Sequence, residues 1–447
     1  MVPAARTPAG RRSAPRAVPA IGHLLQLRRD RLGFLTRVAR EHGDLAELRL
    51  GPYRLLVASH PDLVRDVLVA RPQAYRKGPI MQRARVVLGD GLLTSEGRDH
   101  RQQRHLLNRA FHPDRVAGYA QTMVAEAERS AERWRAGQPI DVHAEMVRAT
   151  LTVAGRTLFA TDVAADVSAI QAAVDDVLSA YGLAVLPAAW RLERLPVGPV
   201  RRLRRGRDTL DRIVRRMVAA RRADGRDRGD LLSVLALADQ GASMTDDQIR
   251  DHVVTLLLAG HETTANTLTF AWHLLAANPD MERRLHAEID AVLAGRSATM
   301  ADGDRLPCTR GVIAEALRLY PPSWAMTRQA RAASELGGRQ VVPGDVVVMS
   351  QWVVHRDPRW WPAPLRPEPE RWTSDAVADR PRYAFFPFGA GVRQCIGESF
   401  ARTEAVLALA TLARRWRLRP VPGRPLRLAP VLTLRPRGGV WMYPEPR

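Results

Sequence analysis

At 447 residues, 46% hydrophobic and 26% charged, the chain is too long for one small core and too apolar for a disordered or fibrous protein. Two cysteines, Cys308 and Cys395, exclude a disulfide framework and point to a reducing compartment, the cytoplasm. A formal charge of +21 suits nucleic acid, an anionic membrane or an acidic protein, but neither metal-finger spacing nor an aromatic-rich single-strand platform accompanies it, which argues against nucleic acid.

In chain order, residues 1–20 are rich in Pro, Ala and Arg and predict a flexible lead, followed by one folded domain over 21–447. That lead lacks the apolar segment of a signal peptide. No apolar run reaches the ~18–20 residues that span a membrane, so neither export nor a transmembrane anchor is expected. "AELRLGPYRLLVAS", residues 46–59, alternates apolar and polar positions around a Gly-Pro turn and predicts a hairpin. From Pro61 to about Ala294 the periodicity is mainly helical, as in "DRIVRRMVAARRA", and the basic run "RRLRRGR" at 201–207 reads as a solvated helix face or loop. After Leu336, "GRQVVPGDVVVMS" and "LRLAPVLTLRPRGGVWMYP" read as short strands with turns. The fold class is mainly α with minor β.

The most informative segment is the long helix opened by Thr245 and Gln248 at capping-box spacing and ended before Pro279. Its apolar residues fall on nearly all sides, which predicts a buried helix crossing the interior. In its middle "AGHETT", residues 259–264, places a glycine, an acid and two hydroxyls where a core helix would place none. One reading has Thr263 and Thr264 bonding back to carbonyls a turn earlier. Another makes the stretch a site, because Gly260 costs about 1 kcal/mol relative to Ala and a buried Glu262 must be paired. There an acid beside an alcohol can hold waters and pass protons.

Further on, "GVIAEALRLYPP" puts Glu315 and Arg318 three apart on one helix face, and "LRPEPERW" supplies Arg371 in a proline-punctuated loop. Alone the first two read as a surface ion pair; with Arg371 they can clamp the helix to the loop. In "FPFGAGVRQCIGESF", residues 386–400, Gly389, Gly391 and Gly397 permit tight turns or close approach, and Arg393 makes the neighbourhood of Cys395 electropositive. "CIGESFARTEAVLALATLARRW" reads as an amphipathic helix, with the sulfur near its N-terminus, where negative charge is favoured. Cys308 has no such surroundings and reads as a small buried hydrophobe.

"FGAGVRQCIG" fits the haem-binding pattern FxxGxRxCxG of the cytochrome P-450 family at every fixed position. "AGHETT" resembles that family's oxygen-binding groove, and "EALR" with "PERW" its Glu-Arg-Arg clamp, in the same order and approximate spacing. The resemblance extends from about residue 20 to the end and implies the family's fold, a helical lobe and a small β-rich lobe around a buried haem b. It implies that Cys395 is the axial thiolate of the iron, that Phe388 packs beneath the ring, and that Gly391 belongs to the cofactor loop. His100, Arg104, Arg328 and Arg393 match the positions that hold the propionates. Gly260 would leave room on the opposite side, where Glu262 and Thr263 would deliver protons.

The implied activity is a monooxygenase that uses O2 and electrons from NAD(P)H, brought by a separate ferredoxin and ferredoxin reductase to a monomer. Some of the positive charge would steer that acidic donor. The family builds its substrate walls from residues 76–94, roughly 178–197, the helix before Ala259, 323–327 and the turn near 431–434. Val254, Leu257, Leu258, Ala259, Trp324, Ala325, Met326 and Leu432 would form a largely hydrocarbon chamber for a hydrophobic small molecule. The chain looks most like actinobacterial members that oxidise terpenes, notably sesquiterpenes, in secondary metabolism, with a fatty acid, polyketide or aromatic product as alternatives. Peroxide-driven oxidation or oxidative coupling and a haem gas sensor are the rival functions. The intact Glu262–Thr263 pair disfavours the first, and a sensor would need an output domain that is not visible in the sequence.

Overall fold

Strands β1 (Leu45–Leu50) and β2 (Tyr53–Ala58) pair antiparallel, Leu45 opposite Ala58 and Leu50 opposite Tyr53. Gly51, at φ +54°, and Pro52 make the turn between them, as the alternating pattern requires. The computed structural model describes residues 15–19, 21–161, 163–179, 198–237, 244–373 and 378–447. Most of the expected lead and most of the wall segment at 178–197 therefore lie outside the described residues.

Further strands are β3 (Tyr75–Lys77), β4 (Ile140–Asp141), β5 (Met326–Ala330), β6 (Ser334–Leu336), β7 (Arg339–Val341) and β8 (Val346–Met349). The chain closes with β9 (Trp416–Pro420), β10 (Leu428–Pro430), β11 (Leu434–Pro436) and β12 (Trp441–Pro446). The helices that position the site are α1 (Gly97–Asn108), α2 (Pro113–Arg133), α3 (Val142–Leu158), α4 (Val167–Ser179), α5 (Gly198–Asp224), α6 (Asp246–Ala277), α7 (Pro307–Leu319) and α8 (Glu398–Arg415).

The chain forms two compact units, one from the described residues within 1–82, 318–366 and 377–395, the other from those within 83–317, 367–376 and 396–447. In the first, a five-stranded sheet runs β1-β2-β8-β5-β3, with β8 parallel to β2 and antiparallel to β5. All four residues of β8 are buried, which is why it is a pure β-branched and Met run. The Pro-Gly-Asp turn joins two different sheets, because β7 pairs with β6 while β8 joins the large one. Asp345 fixes that switch by accepting from Val342 N–H at 3.0 Å and from Arg54 at 2.8 Å.

The second unit is helical, with β4-β12-β9 and the β10-β11 hairpin as its sheets. β3 and β4 interrupt the span expected to be helical, each too short to leave a periodic signal. The 32 residues of α6 run for about 48 Å, and its capping box is formed, Thr245 Oγ1 accepting from Gln248 N–H at 3.2 Å and Gln248 Oε1 accepting from Thr245 N–H at 2.9 Å. Arg201, Arg202, Arg204, Arg205 and Arg207 are exposed on α5, so the basic run is a solvated helix face, and Arg205 is paired with Asp176 at 2.7 Å. One expectation fails at α8. It is not amphipathic, since every residue from Glu404 to Ala413 is buried; small alanines let neighbours close on all sides, and burial pushes the Glu404 carboxyl well above the usual carboxylate range. No helix among the described residues is long and apolar enough to cross a membrane.

Candidate functional site

Cys395 is exposed, three residues before the start of α8. Its own N–H donates to Phe388 O at 2.8 Å, closing the loop on itself. Gly389 and Gly391 both adopt positive φ, +71° and +67°. A Cβ on Gly391 would fall 2.1 Å from the Leu68 carbonyl oxygen, so the loop lies directly on neighbouring backbone. Gly391→Ala is therefore expected to destabilise the protein by more than about 2 kcal/mol, read as a lower denaturation midpoint. Gly389→Ala should be milder, because its Cβ would meet only the flexible end of Met326, at 3.3 Å. Arg393 ends the same short turn, half-buried, and Arg328 stands half-buried in β5.

The loop is anchored from behind by residues that sequence reasoning did not identify. Phe386 N–H donates to His355 Nε2 at 3.0 Å, and the His355 carbonyl accepts from Arg318 at 3.2 Å. Arg318 also donates to the carbonyls of Pro364 at 2.6 Å and Arg366 at 3.0 Å, and lies over the Trp361 ring. Fully buried, it is no surface ion-pair member. Glu315, also fully buried, accepts from Glu368 N–H and from Trp372 Nε1, both at 2.9 Å, and so ties α7 to the loop holding Arg371. Arg371 pairs with Glu368 at 2.8 Å. The only signal for His355 was a polar residue closing an apolar run; for Trp372, its place beside Arg371.

In α6 the burial pattern breaks at the stretch singled out from sequence. Ala259 is exposed, and Leu258, Gly260 and Thr263 are half-exposed, in a helix otherwise buried through its middle. A Cβ on Gly260 would meet nothing within 4 Å, although Ala there would favour the helix by about 1 kcal/mol. That glycine keeps space open, not a close packing contact. Val254 and Leu257 have no accessible surface and pack in the core cluster, turned about 140° and 160° round the helix from Ala259. The open wall on this helix thus narrows to Leu258, Ala259, Gly260 and Thr263.

Thr263 Oγ1 donates to Ala259 O at 2.9 Å and Thr264 Oγ1 to Gly260 O at 3.5 Å, so both hydroxyls do bond back one turn. Glu262 is buried and accepts from Thr433 Oγ1 at 2.7 Å. Burial pushes its carboxyl up; the Thr433 hydroxyl, Arg435 and His143 pull against that, and Asp175 adds to it. His143, on α3, shares its Nε2 with Asn266 Oδ1 at 3.0 Å, and burial lowers its proton affinity. Thr433 and Leu432 belong to the β10–β11 turn, and Leu432 and Leu258 pack against the same core cluster.

His100 and Arg104 lie one turn apart on α1, the first buried and the second half-buried. Trp324 is buried, its carbonyl accepting from Ser350 Oγ at 2.9 Å, while Ala325 and Met326 are half-exposed. Burial pushes the Cys308 thiol up to about 12, with the Glu288 carboxylate adding to it, so this second sulfur stays a thiol.

Among the described residues no three His, Cys, Asp or Glu side chains gather as a metal site. A single exposed sulfur with arginines nearby in sequence suits an iron that brings its equatorial ligands and anionic substituents with it, as haem does. The space above Gly260 suits a flat group close to the helix, so the residues present fit a haem.

A family model described as cytochrome P450 matches residues 13–440. The chain is 44% identical over 440 residues to a cyclooctatin synthase of Streptomyces melanosporofaciens, covering 97% of this chain and 95% of that one. It is 44% identical over 423 residues to a cyclooctat-9-en-7-ol 5-monooxygenase of the same organism, covering 93% and 91%. With a pentalenene oxygenase of Streptomyces avermitilis it shares 38% over 426 residues, 94% of each chain. An exposed cysteine in a glycine-shaped loop, a gap in a buried helix beside an acid and an alcohol, and a match over nearly the whole length converge: the chain belongs to the cytochrome P450 family.

Proposed function

We propose that this protein is a haem-thiolate monooxygenase acting on a terpenoid, with residues 21–447 as its single catalytic domain. Family membership brings a haem iron, O2 and electrons from outside the chain. The observation that carries the reading is Cys395, exposed on a loop whose shape is set by Gly391 against Leu68 and by the Cys395–Phe388 hydrogen bond. When bound through that sulfur, haem b supplies reductive activation of O2 and insertion of one oxygen atom into a C–H bond.

The chain's own residues do the rest. Cys395 would hold the haem iron through its sulfur, with Phe388 beside it in the same loop. Arg328 and Arg393 of the first unit, and His100 and Arg104 of the second, would each offer a donor to the carboxylate groups of the cofactor. Gly260 keeps the helix clear of the reacting centre. Glu262, raised by burial, carries a proton near neutral pH more readily than an exposed acid, and the Thr263 hydroxyl passes it on after leaving the Ala259 carbonyl.

Leu258, Ala259 and Leu432 of the second unit would form an apolar wall that orients a hydrocarbon without hydrogen bonds, and Trp324, Ala325 and Met326 of the first offer apolar surface of their own. The relatives' names place their action on cyclooctat-9-en-7-ol and pentalenene, which supports a cyclic terpene or its alcohol as the substrate here. Electrons come from NAD(P)H through a ferredoxin reductase and a ferredoxin, to a monomer in the cytoplasm. Incubation with that donor pair and a panel of cyclic terpenes should yield hydroxylated product; oxidation of fatty acids or aromatics alone would reject the substrate class.

Thr263→Ala should cut product formation by about 100-fold, within the range expected for loss of general acid–base assistance. Its thermal stability should change by less than about 1 kcal/mol, since the lost bond is a local back-bond of a half-exposed hydroxyl. Unchanged product formation would remove Thr263 from proton delivery.

A further inference from the structure

Both groups assigned to proton delivery are tied up internally. Thr263 is bonded to its own helix, and Glu262 is held by the hydroxyl of Thr433, which sits on a different element altogether. That element is slight. Pro430 pairs with Leu434, leaving only Val431, Leu432 and Thr433 in the turn, where Val431 N–H is shared between the carbonyls of Ala429 and Thr433 at 3.0 and 3.1 Å. The next residue, Leu434, is fully buried and anchors the strand. Within the turn, neighbouring side chains have opposite tasks: Leu432 offers half-exposed apolar surface beside the cluster that Leu258 also joins, and Thr433 grips the acid.

Resting on the monooxygenase reading, we propose that the β10–β11 turn is a substrate-responsive latch. With Thr433 seated, Glu262 is held against the hairpin; an apolar substrate that presses on Leu432 shifts Thr433 and frees the carboxyl to serve as proton donor. Thr433 is thus a positioning residue, acting through Glu262.

The energetics favour such a device. A hydrogen bond to an ionisable group is matched by the burial of about 100 Å² of apolar ligand surface, well within what a terpene offers. The chemistry also has the right sign. A hydroxyl donor stabilises the carboxylate, so its departure raises the proton affinity of Glu262 and loads the acid with the proton it must give. The other groups that face Glu262 stay in place: His143 from α3, whose proton affinity burial lowers, Arg435 from β11, and Asp175 from α4, which pairs with Arg435 at 2.6 Å. The latch therefore couples occupancy of the apolar wall to readiness of the acid, and an empty enzyme keeps its proton donor retracted.

The test uses the haem-loaded protein and the infrared C=O stretch of the protonated Glu262 carboxyl, assigned with Glu262→Gln and titrated against pH. In wild type, bound pentalenene should raise the proton affinity of Glu262 by about tenfold. Thr433→Val should show the raised affinity without ligand and no further response, whereas Thr433→Ser should behave as wild type. Leu432→Ala should keep the wild-type resting titration yet lose the response to ligand. The proposal is overturned if Thr433→Val titrates like wild type, or if wild type does not respond in a complex established by equilibrium dialysis. Ethylbenzene is the second probe: if it binds and pentalenene does not, the terpenoid reading falls, and the ethylbenzene complex decides the latch by the same titration.

Discussion

Replacing Cys395 by serine is expected to abolish the red-shifted Soret band of the reduced carbon monoxide complex and to lower product formation by at least about 100-fold, or about 2.7 kcal/mol of transition-state stabilisation. Serine is nearly isosteric and should preserve the loop, because what shapes it is the Cys395 N–H bond to Phe388 and the glycine backbone at 389 and 391, none of which involves the sulfur. The loss would therefore be electronic: an alcohol oxygen is a hard, weak donor, and a thiolate pushes electron density to iron and favours O–O cleavage. Cys308→Ser supplies the contrast. Its thiol, pushed up to about 12 by burial, sits at the start of α7 with its N–H on Glu288, and its replacement should leave the spectrum unchanged. A histidine-type spectrum from wild type, or an unchanged one from Cys395→Ser, would sink the ligand assignment.

What could be read from the sequence was what is local. The β1–β2 hairpin and the capping box at Thr245 are each decided within about a dozen residues, so pattern and turn chemistry suffice. The loop at Cys395 was legible for a related reason: glycines at positive φ and a cysteine preceding a helix leave a dense signature in one short stretch. Non-local pairings left none. Nothing around Leu55 announces a parallel partner at Val346, and nothing near Val341 shows that β7 turns away from β8. The same blindness hid Thr433 from Glu262 and His355 from Phe386, bonds that join residues brought together only by the fold. Val254 and Leu257 were misplaced for another reason. Apolar residues on all sides of α6 make its period silent about which face is open, and only the accessible Ala259 reveals it.

Arg318→Ala should destabilise the protein by about 3–5 kcal/mol, a large share of the ~5–15 kcal/mol that holds a folded domain together. The side chain is fully buried and spends its guanidinium on three carbonyls, those of His355, Pro364 and Arg366, while its face covers Trp361. Removing it leaves those acceptors dry, each at a cost of about 1–3 kcal/mol, and opens a void beside the indole. Arg318→Lys separates charge from geometry: an ammonium keeps the charge but cannot fork to three divergent oxygens or stack on a ring, so it should recover less than half of the loss. The damage should reach the cysteine. His355, whose carbonyl Arg318 holds, uses its ring to hold Phe386 N–H, and Phe386 leads through Phe388 to Cys395. Haem retention should therefore fall in parallel with the denaturation midpoint across the series wild type, Arg318→Lys, Arg318→Ala. If stability fell while the Soret band of the folded fraction stayed that of wild type, Arg318 would be a bolt of its own unit and no support for the thiolate.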